Sequence, residues 1–235
     1  MADIEQLISK IRKPPSLQNW VRLNHRRRDE TTRRIARFVL ARPRHALATI
    51  YTLIADYVTF GIAKEAVENG LARIANPLVR RLGREIVSTL LPWLDKEDIQ
   101  GIEVFHRLSV PFPIGRGILV PVKPTFVFQH GRSLTPVFVI GWASMPFSDF
   151  QKQLFATIVH NAILTLEGFE GSDAHVVCVP RIKGSRSERY VRPWKISETP
   201  LLSDEELRAQ FDRFGNALDD AVPIVLEELA RRGDV

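Results

Sequence analysis

Along the first 95 residues, apolar side chains recur every three or four positions. Ile50, Ile54 and Val58 form one such series, and residues 78–91 form another that ends before Pro92. This spacing places the apolar side chains on one face of a helix. Prolines punctuate the series because proline lacks a backbone N–H and clashes with the preceding helical turn. The pattern therefore predicts a helical N-terminal region over residues 1–95.

Beyond residue 95 the apolar residues fall into short runs rich in β-branched and aromatic side chains, which are typical of strands. Glycines and prolines separate these runs, and residues 129–132 have the composition of a hairpin turn. The predicted strands cover residues 102–108, 118–122, 126–128, 137–142 and 175–179.

Two helix starts follow the capping-box pattern, in which Ser is followed three residues later by Gln or Glu. Ser148 with Gln151 opens a predicted helix over residues 148–166, and Ser203 with Glu206 opens another, followed by a last helix near Pro223. The order of strands and helices predicts an antiparallel meander followed by a helical crossover. Residues 96–235 are therefore expected to form an α/β core with C-terminal helices, in which a mixed central sheet is flanked by helices.

Residues 122–128 (Val-Lys-Pro-Thr-Phe-Val-Phe) and 136–143 (Pro-Val-Phe-Val-Ile-Gly-Trp-Ala) resemble the two central strands of the PD-(D/E)XK nuclease superfamily. In that superfamily a Pro-Asp pair opens one strand and the next strand ends in Glu-x-Lys. A helix then packs on the sheet, and the helix before the first strand often supplies another carboxylate. The resemblance covers residues 78–179 and implies a restriction-endonuclease-like core.

The chain departs from this pattern at each position that the chemistry needs. Thr125 stands at the Asp position, Gly141 at the Glu position and Ala143 at the Lys position, so that Glu85 is the remnant of the site. Paired carboxylates hold Mg²⁺, and the lysine stabilises charge on the phosphoryl oxygens. The resemblance thus implies a pseudo-nuclease with no catalytic residues, no metal site and no cofactor. The resemblance also implies that these three positions converge at one end of the sheet, so that restoring Asp, Glu and Lys would restore metal binding.

The chain is basic, with a formal net charge of +6 and a pI near 9.8, which favours an anionic partner. Arginine forks match phosphate oxygens, and nearby aromatic rings such as Tyr190 and Trp194 could stack on exposed bases. Nucleic acid is therefore the predicted partner. The alternative is pairing with acidic residues near the C-terminus, such as Asp220. The predicted contacts form a first cluster, Arg26, Arg27 and Arg28, and a second, Arg181, Lys183, Arg186, Arg189, Arg192 and Lys195.

The remaining polar groups have simpler interpretations. Glu103 and His106 are predicted to be a polar pair on an edge strand, and Asp149 and Asp173 to be cap or loop residues. Cys178 lies in a buried strand pattern, which favours packing over reactivity.

Composition bears on the cellular compartment. A single cysteine excludes an intrachain disulfide and a cysteine zinc cluster, and it fits a reducing compartment. The start of the chain is acidic and lacks the apolar stretch of a signal peptide. The most apolar segment, residues 45–63, contains Asp56 and is expected to be a core helix. We therefore expect a cytoplasmic protein that makes no membrane contact.

Three functions from different classes remain open. The first is a catalytically inactive nuclease-like protein that binds nucleic acid or acts as a subunit of a nucleic-acid-processing complex. The second is an active metal-dependent nuclease with displaced ligands. The third is a protein-interaction or assembly module, in which the helical N-terminal region binds a protein partner or forms a homo-oligomer.

Overall fold

The computed structural model describes residues 12–41, 47–131, 133–145 and 147–232, with His130 described by its backbone alone. Parts of the predicted N-terminal helices (1–11 and 42–46) and Arg132 of the predicted hairpin turn lie outside these ranges. The described chain is a mixed α/β fold, as the sequence predicted. Its seven α-helices are α1 (Leu17–Leu23), α2 (Arg28–Leu40), α3 (Ala48–Phe60), α4 (Lys64–Ala72), α5 (Pro77–Lys96), α6 (Asp149–Val159) and α7 (Asp204–Arg232).

The strands form two sheets. Strands β1 (Val110–Pro113) and β2 (Leu119–Val122) make an antiparallel ribbon. Strands β3 (Phe126–His130), β4 (Ser133–Ile140), β5 (His175–Cys178) and β6 (Arg192–Lys195) form a mixed sheet in that order.

The register of the mixed sheet decides which residues meet at its ends. Strands β3 and β4 are antiparallel, β4 and β5 are parallel, and β5 and β6 are antiparallel. Helix α6 provides the crossover between the two parallel strands, as predicted. As a result, the start of β3, the ends of β4 and β5 and the start of β6 all lie at one end of the sheet.

Alternating residues of the strands bury the two faces of this sheet. Phe138 and Val176 point into a core with α1, α2, α6 and α7, whereas Val139 and Val177 point into a second core with α3, α4 and α5. The N-terminal helices therefore cover both faces of the sheet. The change in apolar pattern near residue 95 marks a change from helices to strands, and both parts of the chain contribute to the same two cores.

One predicted strand is absent from the structure, and two observed strands were not predicted. Residues 102–108 contain a 3₁₀ turn (Glu103–Phe105) instead of a strand, and Val104 is 86% exposed. Because their apolar residues do not alternate strictly, they cannot bury one face of a strand. Strands β1 and β6 were missed because they contain Pro111, Pro113 and Pro193, which pattern reasoning assigns to loops although edge strands tolerate them.

Two helices continue through prolines that were expected to end or begin them. Helix α5 passes Pro92 and reaches Lys96, and α7 is one helix through Pro223. An interior proline costs roughly 3 kcal/mol, but Leu91 and Leu94 beside Pro92 are both buried, each contributing about 2 kcal/mol. Burial on one continuous face thus outweighs the lost hydrogen bond.

Both predicted capping boxes are confirmed. The backbone N–H of Gln151 donates to Ser148 Oγ at 3.4 Å, and the backbone N–H of Ser203 donates to Glu206 Oε2 at 2.8 Å. Helix α6 ends in a π turn over His160–Leu164. None of the helices in the described ranges is long and apolar enough to cross a bilayer.

A buried polar network fixes α1 against α6 and α7. The fully buried Asn24 accepts a hydrogen bond from Gln210 Nε2 at 2.7 Å, and its backbone carbonyl accepts one from Gln151 Nε2 at 2.9 Å. Gln151 also donates to the carbonyl of Arg22 at 3.1 Å. Since buried amides are costly to leave unpaired, this network holds the end of α1, and with it Arg22, in a defined position.

Candidate functional site

A cavity of about 1080 Å³ lies at the end of the sheet where β3 starts and β4 and β5 finish. Its floor comes from the residues that flank these strands. Its walls come from α1 on one face of the sheet, from α3 and α5 on the other, and from the turn that contains His106 and Arg107. The volume is at the upper end of the range for small-molecule pockets.

Positive charge dominates the cavity. Among the described residues that line it there is no Asp or Glu, so their field attracts anions. Six arginine and lysine side chains belong to the lining: Arg22, Arg81, Arg107, Lys123, Arg181 and Arg189.

Glu85 lies behind the arginines that line the cavity and holds Arg181 and Arg189 in place. The carboxylate, on α5, is 8% exposed. Arg181 Nη2 approaches Glu85 Oε2 to 2.7 Å and Oε1 to 3.0 Å, while Arg189 Nε donates to Oε2 at 3.2 Å. Arg81 Nε lies 3.7 Å from Oε1, one helical turn away. Three guanidinium groups thus surround one carboxylate, which leaves two positive charges uncompensated.

Arg189 joins this ion cluster to the strand ends. Its side chain is fully buried, and Nη1 donates to the carbonyls of Val179 at 2.7 Å and Gly141 at 3.1 Å. Burial lowers the pKa of Arg189, and the hydrogen bond to Glu85 opposes this change. Its Nη2 lies 3.1 Å from Glu85 Oε2 but is not aligned for a hydrogen bond. The arginine therefore ties the ends of β4 and β5 to α5 and keeps one buried donor unused.

The three positions at which the chain departs from the nuclease pattern, Thr125, Gly141 and Ala143, all line this cavity. Thr125 Oγ1 accepts a hydrogen bond from the backbone N–H of Val139 at 2.9 Å, which closes the start of β3. The N–H of Gly141 donates to the hydroxyl of Tyr51 at 3.1 Å, and the carbonyl of Ala143 accepts from the N–H of Arg181 at 3.0 Å. Desolvation raises the pKa of Tyr51 to about 12. The structure thus brings the three positions together, with uncharged groups at each.

The arrangement is poorly suited to a divalent ion. In the part of the chain that the structure describes, no three His, Cys, Asp or Glu side chains form a group that could hold a metal. Both carboxylate oxygens of Glu85 are already engaged by arginines. In addition, a Cβ at Gly141 would lie 2.5 Å from Ile86 Cδ1. A Glu at this position would therefore require Ile86 to move, so the simple restoration of a metal site is not expected.

The second basic cluster does not form one surface. Arg181 and Arg189 line the cavity, and Lys183 and Arg186 lie in the exposed segment between them. In the register of β5 and β6, Arg192 lies opposite Cys178 at the cavity end of the sheet, but Lys195 lies opposite His175 at the other end. Lys195 therefore lies at the opposite end of the sheet from Arg181, Arg189 and Arg192.

The first basic cluster lies outside the cavity lining and is largely paired. Arg27 contacts Asp29 at 2.7 Å, and Arg28 makes two hydrogen bonds to Asp220, at 2.5 and 2.6 Å. The hydrogen bond from Arg28 holds the pKa of Asp220 below its usual value. The Arg26 guanidinium lies 5.1 Å from the centre of the Phe150 ring. Pairing with acidic residues near the C-terminus, the alternative considered for these clusters, is thus observed for Arg28.

Several cavity residues were not identified from the sequence. Arg81 precedes Glu85 by four positions on the predicted helix, and Lys123 stands directly before the Pro124-Thr125 motif, so both gave a usable signal. No sequence pattern indicated Arg22, because tertiary packing alone places it at the cavity. Its guanidinium lies 4.8 Å from the centre of the Trp142 ring.

Other candidate groups have structural roles. The edge-strand pair predicted for Glu103 and His106 is wrong, since both lie on the 3₁₀ turn and His106 Nε2 lies 3.4 Å from Asp56. Cys178 is fully buried, and burial raises the pKa of its thiol to about 11, so it is unreactive. Asp149 starts α6, while Asp173 accepts a hydrogen bond from Ser197 Oγ at 2.6 Å.

No protein-family model, curated protein or solved structure matches this chain. The geometry and charge of the site are therefore the observations from which we infer its function.

We expect Glu85→Gln to lower the free energy of unfolding by roughly 3–5 kcal/mol, because it leaves buried guanidinium charge without a counter-charge. Glu68→Gln is the matched control, since Glu68 is half exposed and lies 3.9 Å from Arg84, and it should cost under about 1 kcal/mol. Chemical denaturation of both variants measures the difference. Equal unfolding midpoints would show that the cluster contributes no more than a surface pair.

We expect Gly141→Ala to destabilise the protein by about 1–3 kcal/mol, because the added methyl group would overlap Ile86 Cδ1. Ile86→Val removes that atom, so the cost of Gly141→Ala should fall in the Ile86→Val background, with a coupling of roughly 1 kcal/mol. Denaturation of the wild type, both single variants and the double variant completes the cycle. Additive costs would mean that Ile86 does not limit this position.

Proposed function

We propose that the protein binds nucleic acid in the cation-lined cavity without cleaving it, on a sheet of the restriction-endonuclease-like kind. The observation that supports this most directly is the lining, whose described residues include six cationic side chains and no carboxylate. Phosphate contacts supply most of the electrostatic affinity for nucleic acid, and arginine forks match phosphate oxygens.

The placement of the motif supports the fold part of the proposal. The hairpin of β3 and β4, the α6 crossover and the parallel β5 follow the order that the resemblance implies. Thr125 precedes β3, Gly141 follows β4, and Glu85 comes from the helix before them. The positions that would hold a metal in an active nuclease thus surround one cavity.

The arginines at the cavity floor support binding without cleavage. A divalent ion both attracts the phosphate and generates a hydroxide nucleophile from bound water. Arg181 and Arg189 supply positive charge at the same end of the sheet. A guanidinium stays protonated and holds no water as a ligand, so it provides attraction and orientation but does not activate water.

The size and lining of the cavity favour a single strand over a duplex. A volume of about 1080 Å³ has room for a nucleotide or a short stretch of one strand. Trp142 and Tyr51 line the same space, and aromatic rings stack on unpaired bases with little sequence preference.

Fluorescence anisotropy with labelled single-stranded and duplex DNA and RNA, measured over a salt series, tests binding. We expect single strands to bind more tightly than duplexes, with affinity falling as salt rises. Arg81→Ala should weaken binding and reduce the slope of log K against log salt by about 0.7, as for one lost phosphate contact. Arg84→Ala is the matched control, since Arg84 is an exposed arginine on the same helix outside the cavity lining. Absence of binding at low salt would refute the proposal.

Incubation of the protein with plasmid and single-stranded DNA in Mg²⁺ or Mn²⁺ tests the absence of cleavage. We expect no cleavage that EDTA abolishes. Glu85→Ala separates an intrinsic activity from a contaminant, provided that circular dichroism shows the variant to be folded. EDTA-sensitive cleavage that disappears in this variant would instead support the active nuclease with displaced ligands.

A further inference from the structure

We infer that the cavity binds a phosphate monoester, at the end of a nucleic-acid strand or on a free nucleotide, in preference to an internal phosphodiester. The inference rests on the proposed function and specifies the ligand of the same cavity. Four features of the cavity lead to it: its uncompensated charge, its unused donors, its enclosing walls and its aromatic lining.

The charge at the floor matches a dianion. Arg81, Arg181 and Arg189 lie within 4 Å of the single carboxylate of Glu85, at 3.7, 2.7 and 3.1 Å, so the cluster has an excess of two positive charges. A phosphate monoester has a charge between −1.5 and −2 at neutral pH. An internal phosphodiester has a charge of only −1 and neutralises half of this excess.

The unused donors match the oxygens of a terminal phosphate. Arg189 Nη2 is buried 3.1 Å from Glu85 Oε2, so Arg189 contributes charge to the floor, and the accessible donors belong to Arg181 and Arg81. Within the described part of the chain, Arg181 uses Nε and Nη2 to bind Glu85, while its Nη1 makes no hydrogen bond. Arg81 is two-thirds exposed and reaches Glu85 only at 3.7 Å. A monoester offers three terminal acceptor oxygens, whereas an internal diester offers two non-bridging ones.

The walls of the cavity favour a nucleic-acid strand that ends inside it. Helix α1 closes one side with Arg22, and α3 and α5 close the opposite side with Tyr51 and Arg81. The ends of β4 and β5 form the floor of the cavity, where Gly141 and the arginines meet. A terminal nucleotide needs only the side by which it enters, whereas a continuous nucleic-acid strand needs both an entrance and an exit.

The aromatic lining supplies a surface for the terminal base. Trp142 lines the same cavity as Arg181 and Arg189, and its indole packs on the side of the sheet that α1 covers. Arg22 lies over the Trp142 ring at 4.8 Å, and both residues line the cavity. A base attached to the bound phosphate would contact these two flat groups, which bind bases through stacking.

The test compares oligonucleotides of one sequence that differ only at their ends. Competition anisotropy uses the full chain with strands bearing a 5′-phosphate, a 3′-phosphate or hydroxyl groups at both ends. Nucleoside monophosphates and inorganic phosphate serve as small competitors. We expect one phosphorylated end to bind at least about tenfold more tightly than the hydroxyl-ended strand. Phosphatase treatment should remove the difference. Arg81→Ala should reduce the preference, and Arg84→Ala should leave it unchanged.

The outcomes separate this inference from the proposed function. Equal binding of phosphorylated and hydroxyl-ended strands overturns the inference and leaves nucleic-acid binding intact. Binding of nucleoside monophosphates without binding of any oligonucleotide overturns the proposed function and supports the monoester site for a free nucleotide. Binding of neither overturns both. A preference that Arg81→Ala and Arg84→Ala reduce equally would place the phosphate outside the cavity and overturn the inference.

Discussion

The architecture of the cavity depends on one buried ion cluster, the contact of Glu85 with Arg181 and Arg189. Glu85 comes from the helical layer on one face of the sheet, and the two arginines come from the segment after β5. Arg189 also binds the carbonyls at the ends of β4 and β5, which have no further strand partner. Since an isolated buried charge is far more costly than a paired one, each member of the cluster requires the others. Their joint placement fixes the helix, the strand ends and the cavity floor as a unit.

The same cluster determines which chemistry the cavity can support. Carboxylates that face a cavity bind cations, but a carboxylate behind a layer of arginines orients those arginines towards an anion. Glu85 thus has a structural function that its position in the chain alone would not indicate. Glu85 holds Arg181 through Nε and Nη2, which leaves Arg181 Nη1 for an anion that need not displace Glu85. The site is therefore organised before a ligand arrives, which reduces the entropy lost on binding.

Local patterns in the sequence predicted much of the fold and part of the site. The mixed α/β class and both capping boxes follow from periodicity and short-range hydrogen bonding. The motif comparison selected Thr125, Gly141, Ala143 and Glu85, which the structure places around one cavity or directly behind it. The partner of Arg189 is 104 residues away along the chain. A local pattern therefore could not show that Arg189 is buried, and it was grouped in one basic cluster with the exposed Lys183 and Arg186. The edge strands β1 and β6 were missed because their prolines resemble loop residues. Arg22 is a cavity residue solely through the packing of α1 on α6.

The close approach of α5 to the end of β4 has a consequence for how the chain could change over time. At Gly141 the helix fills the space that a side chain would need, with Ile86 Cδ1 2.5 Å from the position of a Cβ. A mutation that introduces an acidic residue there is unfavourable unless Ile86 has already become smaller, and the smaller residue alone leaves a cavity in the core. A stepwise change to a larger side chain at this position would thus pass through one of two unfavourable intermediates. Packing between α5 and the end of β4 therefore favours the retention of glycine at this position.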